Sequence, residues 1–182
     1  MNDTNPSLEE RLQTVEDRLA IYNLLATHPL SADTGDATFI NSIYAEDAIF
    51  DRGEHLPGAR GRESMLALVK SAAHQEAIAG GLAHFGNLPL VELHGDQAFA
   101  TSYIMIITPD HEGAERKLAN HGNSTGYRIH RLVANRWTLE RVEGSWRIKE
   151  RKIRFHDGSD EVREVIGHAK SLYADTAQGY AQ

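Results

Sequence analysis

Apolar residues recur at helical spacing from the start of the chain. Leu8, Leu12, Val15, Leu19, Tyr22 and Leu25-Ala26 follow a Ser7 cap, and Glu10, three residues on, completes a capping box. Pro29 cannot donate to the helical ladder and biases His28 away from helical angles, which predicts that the first helix ends or kinks at Thr27-His28. Gly35 then allows a turn. Asp36 is placed to cap a second, shorter helix through Phe39, Ile40 and Ile43-Tyr44. Ala48-Ile49-Phe50-Asp51 reads as a short strand, and residues 52–60, with Gly53, Pro57 and Gly58, as a loop. A third helix is predicted over residues 64–77, with Met65, Leu68, Val69, Ala72 and Ala73 on one side.

From Leu82 onward the period changes to that of strands. His94-Gly95-Asp96 joins the run 88–93 to the run 98–108 as a hairpin, and Glu143-Gly144-Ser145 joins 125–142 to 146–155 in the same way. The polar segment 109–123 between the hairpins reads as a mobile loop or lid. Val162, Val165-Ile166, Ala169 and Leu172-Tyr173 then return to helical spacing and predict a C-terminal helix over 159–174. Helices followed by consecutive hairpins indicate an α+β fold, with helices packed on one face of a strongly curved, mostly antiparallel sheet. No internal repeat or linker interrupts the chain, so a single domain over residues 1–182 is expected, with its core over about 8–156.

Composition narrows the picture. A chain of 182 residues is long enough to bury most of its apolar surface unaided. The absence of cysteine excludes disulfides, thiolate metal sites and cysteine nucleophiles. No apolar run approaches the roughly 20 residues needed to span a bilayer, and no signal-peptide pattern is evident, so a cytoplasmic protein without membrane partners is expected. A net charge of −7 argues against nucleic acid as a partner, because phosphate neutralisation needs a surplus of lysine and arginine. Ten histidines raise the question of metal, but no His-Glu-x-x-His or similar cluster is present. Asp110-His111-Glu112 with His121 lies in the polar segment, and no metal site is expected there. A phosphate-cradling glycine loop after a strand and a Gly-x-Ser-x-Gly elbow are also missing.

The candidate chemistry centres on two stretches. His84 stands in Gly80-Gly81-Leu82-Ala83-His84-Phe85-Gly86-Asn87, just before the run 88–93, and Asp33 stands in Leu30-Ser31-Ala32-Asp33-Thr34-Gly35-Asp36. The expectation is that they meet in one pocket. An imidazole with an ordinary pKa of roughly 6.5 is a natural proton acceptor near neutral pH, and a carboxylate on one ring nitrogen leaves the other free as general base. The remaining candidates are His28 and Arg151 for catalysis and Phe50, Asn87, Tyr103 and Trp137, with His130, for the pocket wall. Each has a quieter reading. Asp33 can cap a turn, His84 can sit satisfied at a strand edge, His28 can cap helix carbonyls, and Arg151 can belong to the solvated Lys149-Glu150-Arg151-Lys152 cluster. Arg154 stands as the alternative to Arg151 for the inward arginine, since one bulge in that strand exchanges the faces.

In order along the chain, Ile21-Tyr22-Asn23-Leu24-Leu25, Ala32-Asp33-Thr34-Gly35-Asp36, Tyr44-Ala45-Glu46-Asp47-Ala48, Gly61-Arg62-Glu63, His84-Phe85-Gly86-Asn87, Gly144-Ser145-Trp146-Arg147-Ile148 and Arg151 resemble the SnoaL-like group of the NTF2-like superfamily. The resemblance spans about residues 8–155. It implies a cone in which a bent sheet and the first helices enclose a pocket, and the dehydratase and dehydrochlorinase-like members are the nearest in function. In those relatives an aspartate and a histidine form a dyad, onto which Asp33 and His84 map; Arg151 maps to a pocket arginine. Five residues before the aspartate, where some relatives carry a tyrosine or lysine, this chain has His28. The expected activity is therefore that of a cofactor-independent lyase or isomerase acting on a small, largely apolar, cyclic or aromatic substrate. Two alternatives stand beside it: a non-catalytic ligand-binding or assembly module, and a polyketide cyclase-like enzyme. Association as a homodimer or homotrimer is also expected.

Overall fold

The structure, a computed structural model, describes residues 6–169. Helix α1 runs over Leu8–Thr34 and opens on the expected capping box. Ser7 Oγ accepts the Glu10 N–H at 3.2 Å, and the Glu10 carboxylate accepts the Ser7 N–H at 2.7 Å. The helix does not end before Pro29; it carries Pro29 inside it and stops at Gly35, whose φ of +65° suits glycine. A proline in a helix costs about 3 kcal/mol. Here the turns around it are held from outside, because His28 and Ser31 are buried and His74 donates Nε2–H to the Ala32 carbonyl at 2.8 Å.

The face of α1 that packs also differs from the apolar stripe. Leu8, Leu12, Val15 and Leu19 are all more than half exposed, whereas Asp17, Ile21, Leu25, His28 and Ser31 are buried. Polar groups thus line the inner face of the helix, and each needs a partner there. Asp17 finds Arg141 at 2.7 Å and the Trp146 indole N–H at 3.1 Å.

Asp36 caps α2 (Ala37–Ile43), which runs directly into β1 (Tyr44–Asp51); β2 (Ala59–Arg60) folds back on β1. The single helix predicted over 64–77 is instead two, α3 (Arg62–Val69) and α4 (Ala72–Ala79), because Ser71 accepts the His74 N–H and starts a new helix. His84 lies in a strand of its own, β3 (Ala83–Gly86), and the predicted run after it is β4 (Leu90–His94). There follow β5 (Gln97–Pro109), a small hairpin of β6 (Arg116–Leu118) and β7 (Gly122–Ser124) inside the segment read as a loop, then β8 (Tyr127–Val142) and β9 (Ser145–Phe155). Helix α5 covers Asp160–Gly167; the predicted continuation through residues 170–174 lies outside the described residues.

The curved sheet has the order β2-β1-β9-β8-β5-β3, with β4 also paired to β5. β1 and β9 run parallel and the other pairs antiparallel. Glu143 and Gly144 both take positive φ, as a two-residue hairpin turn between β8 and β9 requires. Two irregularities bend the long strands. Opposite β8, Thr138 pairs with Glu150 but Leu139 pairs with Ile148, leaving Lys149 as an extra residue in β9; opposite β5, His130 is the extra residue in β8. The main core, including Ile21, Ile43, Val91, Trp137, Leu139 and Ile148, fills the concave side between the sheet and α1 to α3, while Val162 and Val165 of α5 pack on Ala134 on the other side. This arrangement is the α+β fold expected from the sequence.

Candidate active site

One end of the concave side remains open as a cavity of about 370 Å³. The last turns of α1 contribute His28, Ser31 and Ala32, β1 contributes Tyr44 and Phe50, β3 contributes His84, and β9 contributes Arg151 and Ile153. Apolar side chains such as Met65, Leu68, Ile104 and Val133 complete much of the wall.

Asp33 and His84 meet at this cavity. The Asp33 Oδ1 atom lies 2.6 Å from His84 Nδ1, and Oδ2 accepts the His84 backbone N–H at 2.9 Å. Both carboxylate oxygens therefore fix one residue, main chain and ring together. With Nδ1–H donated to the ionised carboxylate, Nε2 keeps its lone pair, and it has no hydrogen-bond partner among the described residues. Burial draws the His84 pKa below its ordinary value, although the hydrogen bond and charge of Asp33 act the other way. The ring is thus predominantly neutral at neutral pH.

His28 and Arg151 form a second, deeper group. Arg151 is buried, donates Nε–H to Asn135 Oδ1 at 2.9 Å and lies 2.6 Å by Nη1 from His28 Nε2. Its guanidinium carbon stands 4.7 Å from the ring centres of both Phe50 and Trp137. Burial lowers its pKa to about 10, which still leaves it charged at neutral pH. An arginine has only donors to offer, so His28 Nε2 accepts, and the His28 proton sits on Nδ1, facing the Tyr44 hydroxyl at 3.1 Å. Burial, followed by the charge of Arg151, holds the His28 pKa well below the usual histidine range. Tyr44 is raised, because burial outweighs the opposing effect of Arg151.

The wall residues expected from the sequence divide. Phe50 and His130 line the cavity. Trp137 sits behind it, with its indole N–H on Ser102 Oγ at 2.9 Å and its ring 5.1 Å from that of His28. Tyr103 and Asn87 lie off the cavity. Alternation along β5 turns Tyr103 to the convex face, near His156, and the Asn87 side chain caps the edge by accepting the Tyr103 N–H at 2.6 Å. Arg154 also points away, to Asp51 and Glu161. Sequence reasoning did not single out Tyr44, Ser31, His74, Arg52 or Arg131, all of which reach the cavity. Ser31 had a usable signal, since it stands one turn after His28 on the same helix face.

The buried His28 and the mostly buried His84, both with depressed pKa values, make stability acid-sensitive. Below about pH 6.5 the unfolded chain binds protons at these positions that the folded chain refuses, so stability is retained above that pH and falls as the pH is lowered. Urea unfolding at pH 7 and pH 5 should show a lower midpoint at pH 5, and His28→Gln should reduce the difference. Equal midpoints in the wild type would contradict the burial of neutral imidazoles.

Among the described residues no group of three or more histidine, aspartate or glutamate side chains is arranged to hold a metal ion, and no helix is long and apolar enough to cross a membrane. Among curated proteins none matches the sequence significantly. Solved structures do. An NTF2-like protein with a cystatin-like fold from Novosphingobium aromaticivorans is 29% identical, with a TM-score of 0.77 over 91% of this chain and 99% of its own. A hexachlorocyclohexane dehydrochlorinase from Novosphingobium barchaimii matches with a TM-score of 0.62 at 18% identity, over 80% of this chain and 90% of its own. A candidate scytalone dehydratase from Novosphingobium aromaticivorans matches at 0.55 and 17%, over 79% and 85%. At such identities the last two speak for the fold alone. The family model for the SnoaL-like domain matches residues 13–152, most of the chain, and the protein belongs to that family.

Proposed function

We propose that this cavity carries out acid–base chemistry at carbon, as a lyase or isomerase acting through its own side chains. The observation that carries the proposal is the Asp33–His84 pair, 2.6 Å apart, with Nε2 of a neutral imidazole unengaged at the cavity wall. In the proposed step His84 Nε2 removes a proton from a carbon made acidic by a neighbouring electron-withdrawing group. The released electron pair then forms a double bond and expels a leaving group from the adjacent carbon, or returns to a proton at another carbon in an isomerisation. Arg151, charged and buried, stabilises negative charge as it develops.

The proton for the leaving group is assigned to Tyr44 rather than His28. His28 is neutral and has both ring nitrogens occupied, so it has no proton to spare. Tyr44 accepts the His28 Nδ1–H and keeps its own hydroxyl proton, and the charge of Arg151 eases formation of the phenolate. Return of the proton from His84 to Tyr44 through solvent closes the cycle with atoms and charge in balance. Ser31 Oγ, buried on the same wall without a partner among the described residues, supplies a further contact for a bound molecule. A volume of about 370 Å³ lies at the small end of ligand cavities and favours a small substrate over a polycyclic one.

NMR titration of the His84 ring in wild type and in Asp33→Asn tests the dyad without a known substrate. Removing the charge of Asp33 should lower the His84 pKa by about one unit or more. The asparagine oxygen would accept the backbone N–H and its amide would donate to Nδ1, so the ring proton should move to Nε2. An unchanged pKa and tautomer would refute the dyad and leave the cavity as a binding site without chemistry.

A further inference from the structure

The charge around the cavity does not match that of the chain. The protein has a net charge of −7, yet the described residues that line this cavity include Arg52, Arg131 and Arg151 and not one aspartate or glutamate. The carboxylate at the site, Asp33, is already committed twice to His84. Arg151 belongs to the buried group described above; Arg52 and Arg131 do not. Arg52 directly follows β1 and Arg131 lies in β8, next to the extra residue His130.

Several arginines elsewhere in the molecule are matched with acids, while others, Arg18, Arg62 and Arg147 among them, donate to backbone carbonyls. Arg136 pairs with Glu92, Arg141 with Asp17 and Asp96, Arg154 with Asp51 and Glu161, and Arg128 with Asp110 and Glu112. Arg52 and Arg131 have no such partner among the described residues. Arg52 donates Nη1–H to the Pro57 carbonyl at 3.3 Å, and its buried Nε has no hydrogen-bond acceptor. The Arg131 guanidinium lies 4.0 Å over the Phe155 ring, which holds it in place by its face and leaves its N–H edge unspent. Burial and then the charge of Arg131 lower the pKa of Arg52, as expected for two cations near one another without an anion between them. The loop carrying Arg52 and the bulge beside Arg131 thus bring two unmatched guanidinium groups to one cavity wall.

We infer that the substrate is an organic oxyanion, with a carboxylate or phosphate group held by Arg52 and Arg131 while its uncharged portion lies against the apolar wall near His84. This builds on the acid–base reading of the same cavity and revises the sequence-based expectation of a largely apolar substrate. A guanidinium pair suits such a group because its planar donors match oxyanion geometry and form charge-assisted bonds.

The test is calorimetric titration at neutral pH with benzoate, with phenyl phosphate and with uncharged benzamide as the isostere of benzoate. At least one of the anions should bind about tenfold or more tightly than benzamide. The stronger of the two identifies the group. Arg52→Gln with Arg131→Gln should erase the preference; circular dichroism checks the fold, and the single variants carry the same comparison if the double variant does not fold. His84→Ala should keep the preference, which separates anion recognition from catalysis: an active His84→Ala protein would sink the acid–base reading and leave the anion site untouched. Equal binding of all three compounds, no saturable binding of either anion, or a preference that survives in the double variant would overturn the proposal. So would a preference lost only with Arg151→Gln, since that would place the anion in the deeper group.

Discussion

His84→Ala should lower turnover by about a hundred- to ten-thousand-fold on any β-hydroxy or β-halo carbonyl compound that the wild type converts. The loss should fall on kcat with little change in KM, because the imidazole is proposed to act on a proton in the transition state and not to grip the substrate. Asp33→Asn should act through His84. An asparagine can present only one acceptor where the carboxylate presents two, and satisfying the backbone N–H turns its amide toward Nδ1, which places the ring proton on the nitrogen that must be bare. Its activity should therefore drop while its fold persists. A His84→Ala protein that retained full turnover would remove the dyad from the mechanism, whatever the geometry.

Trp137→Ala should cost about 3–5 kcal/mol of stability, measured by urea unfolding at neutral pH. The side chain is only 2% exposed and central to the concave core. Its loss would leave a void beneath His28, strand the Ser102 hydroxyl and remove one of the two rings flanking the Arg151 guanidinium. Trp137→Phe retains much of the volume but not the indole N–H, and should lie between wild type and alanine. A loss below about 1 kcal/mol in the alanine variant would mean that the core around β8 is not packed as described.

How much of this was legible in the sequence depended on how local the determinant was. The capping box at Ser7 and Glu10, the cap at Asp36 and the hairpin at Glu143-Gly144 are settled within a few residues, and the structure contains all three. Pro29 misled because its local cost is real. What outweighs it comes from far along the chain, in His74 and in the burial of His28 and Ser31. The stripe from Leu8 to Leu19 misled differently: helical spacing says that a face is apolar, but not that the sheet extends far enough to cover it. The meeting of Asp33 and His84 was expected from family resemblance, since nothing local relates residues 51 positions apart. Tyr44 was passed over as the last apolar position of a short helix. Its importance arises from the position of His28, which periodicity could not supply.

The extra residue Lys149 bears on how this cavity could change over time. Before it, Trp146 and Ile148 are the buried positions of β9; after it, Arg151 and Ile153 are. Unbroken alternation would have carried the buried face from Ile148 to Glu150, Lys152 and Arg154, setting an acid where the guanidinium now stands. The electrostatic sign of the deep group is therefore encoded in the spacing of the strand as much as in the identity of any side chain. Losing Lys149 itself would straighten the strand and still leave Arg151 facing inward, whereas a change elsewhere that ironed out the bulge at constant length would turn Glu150 inward and invert that sign.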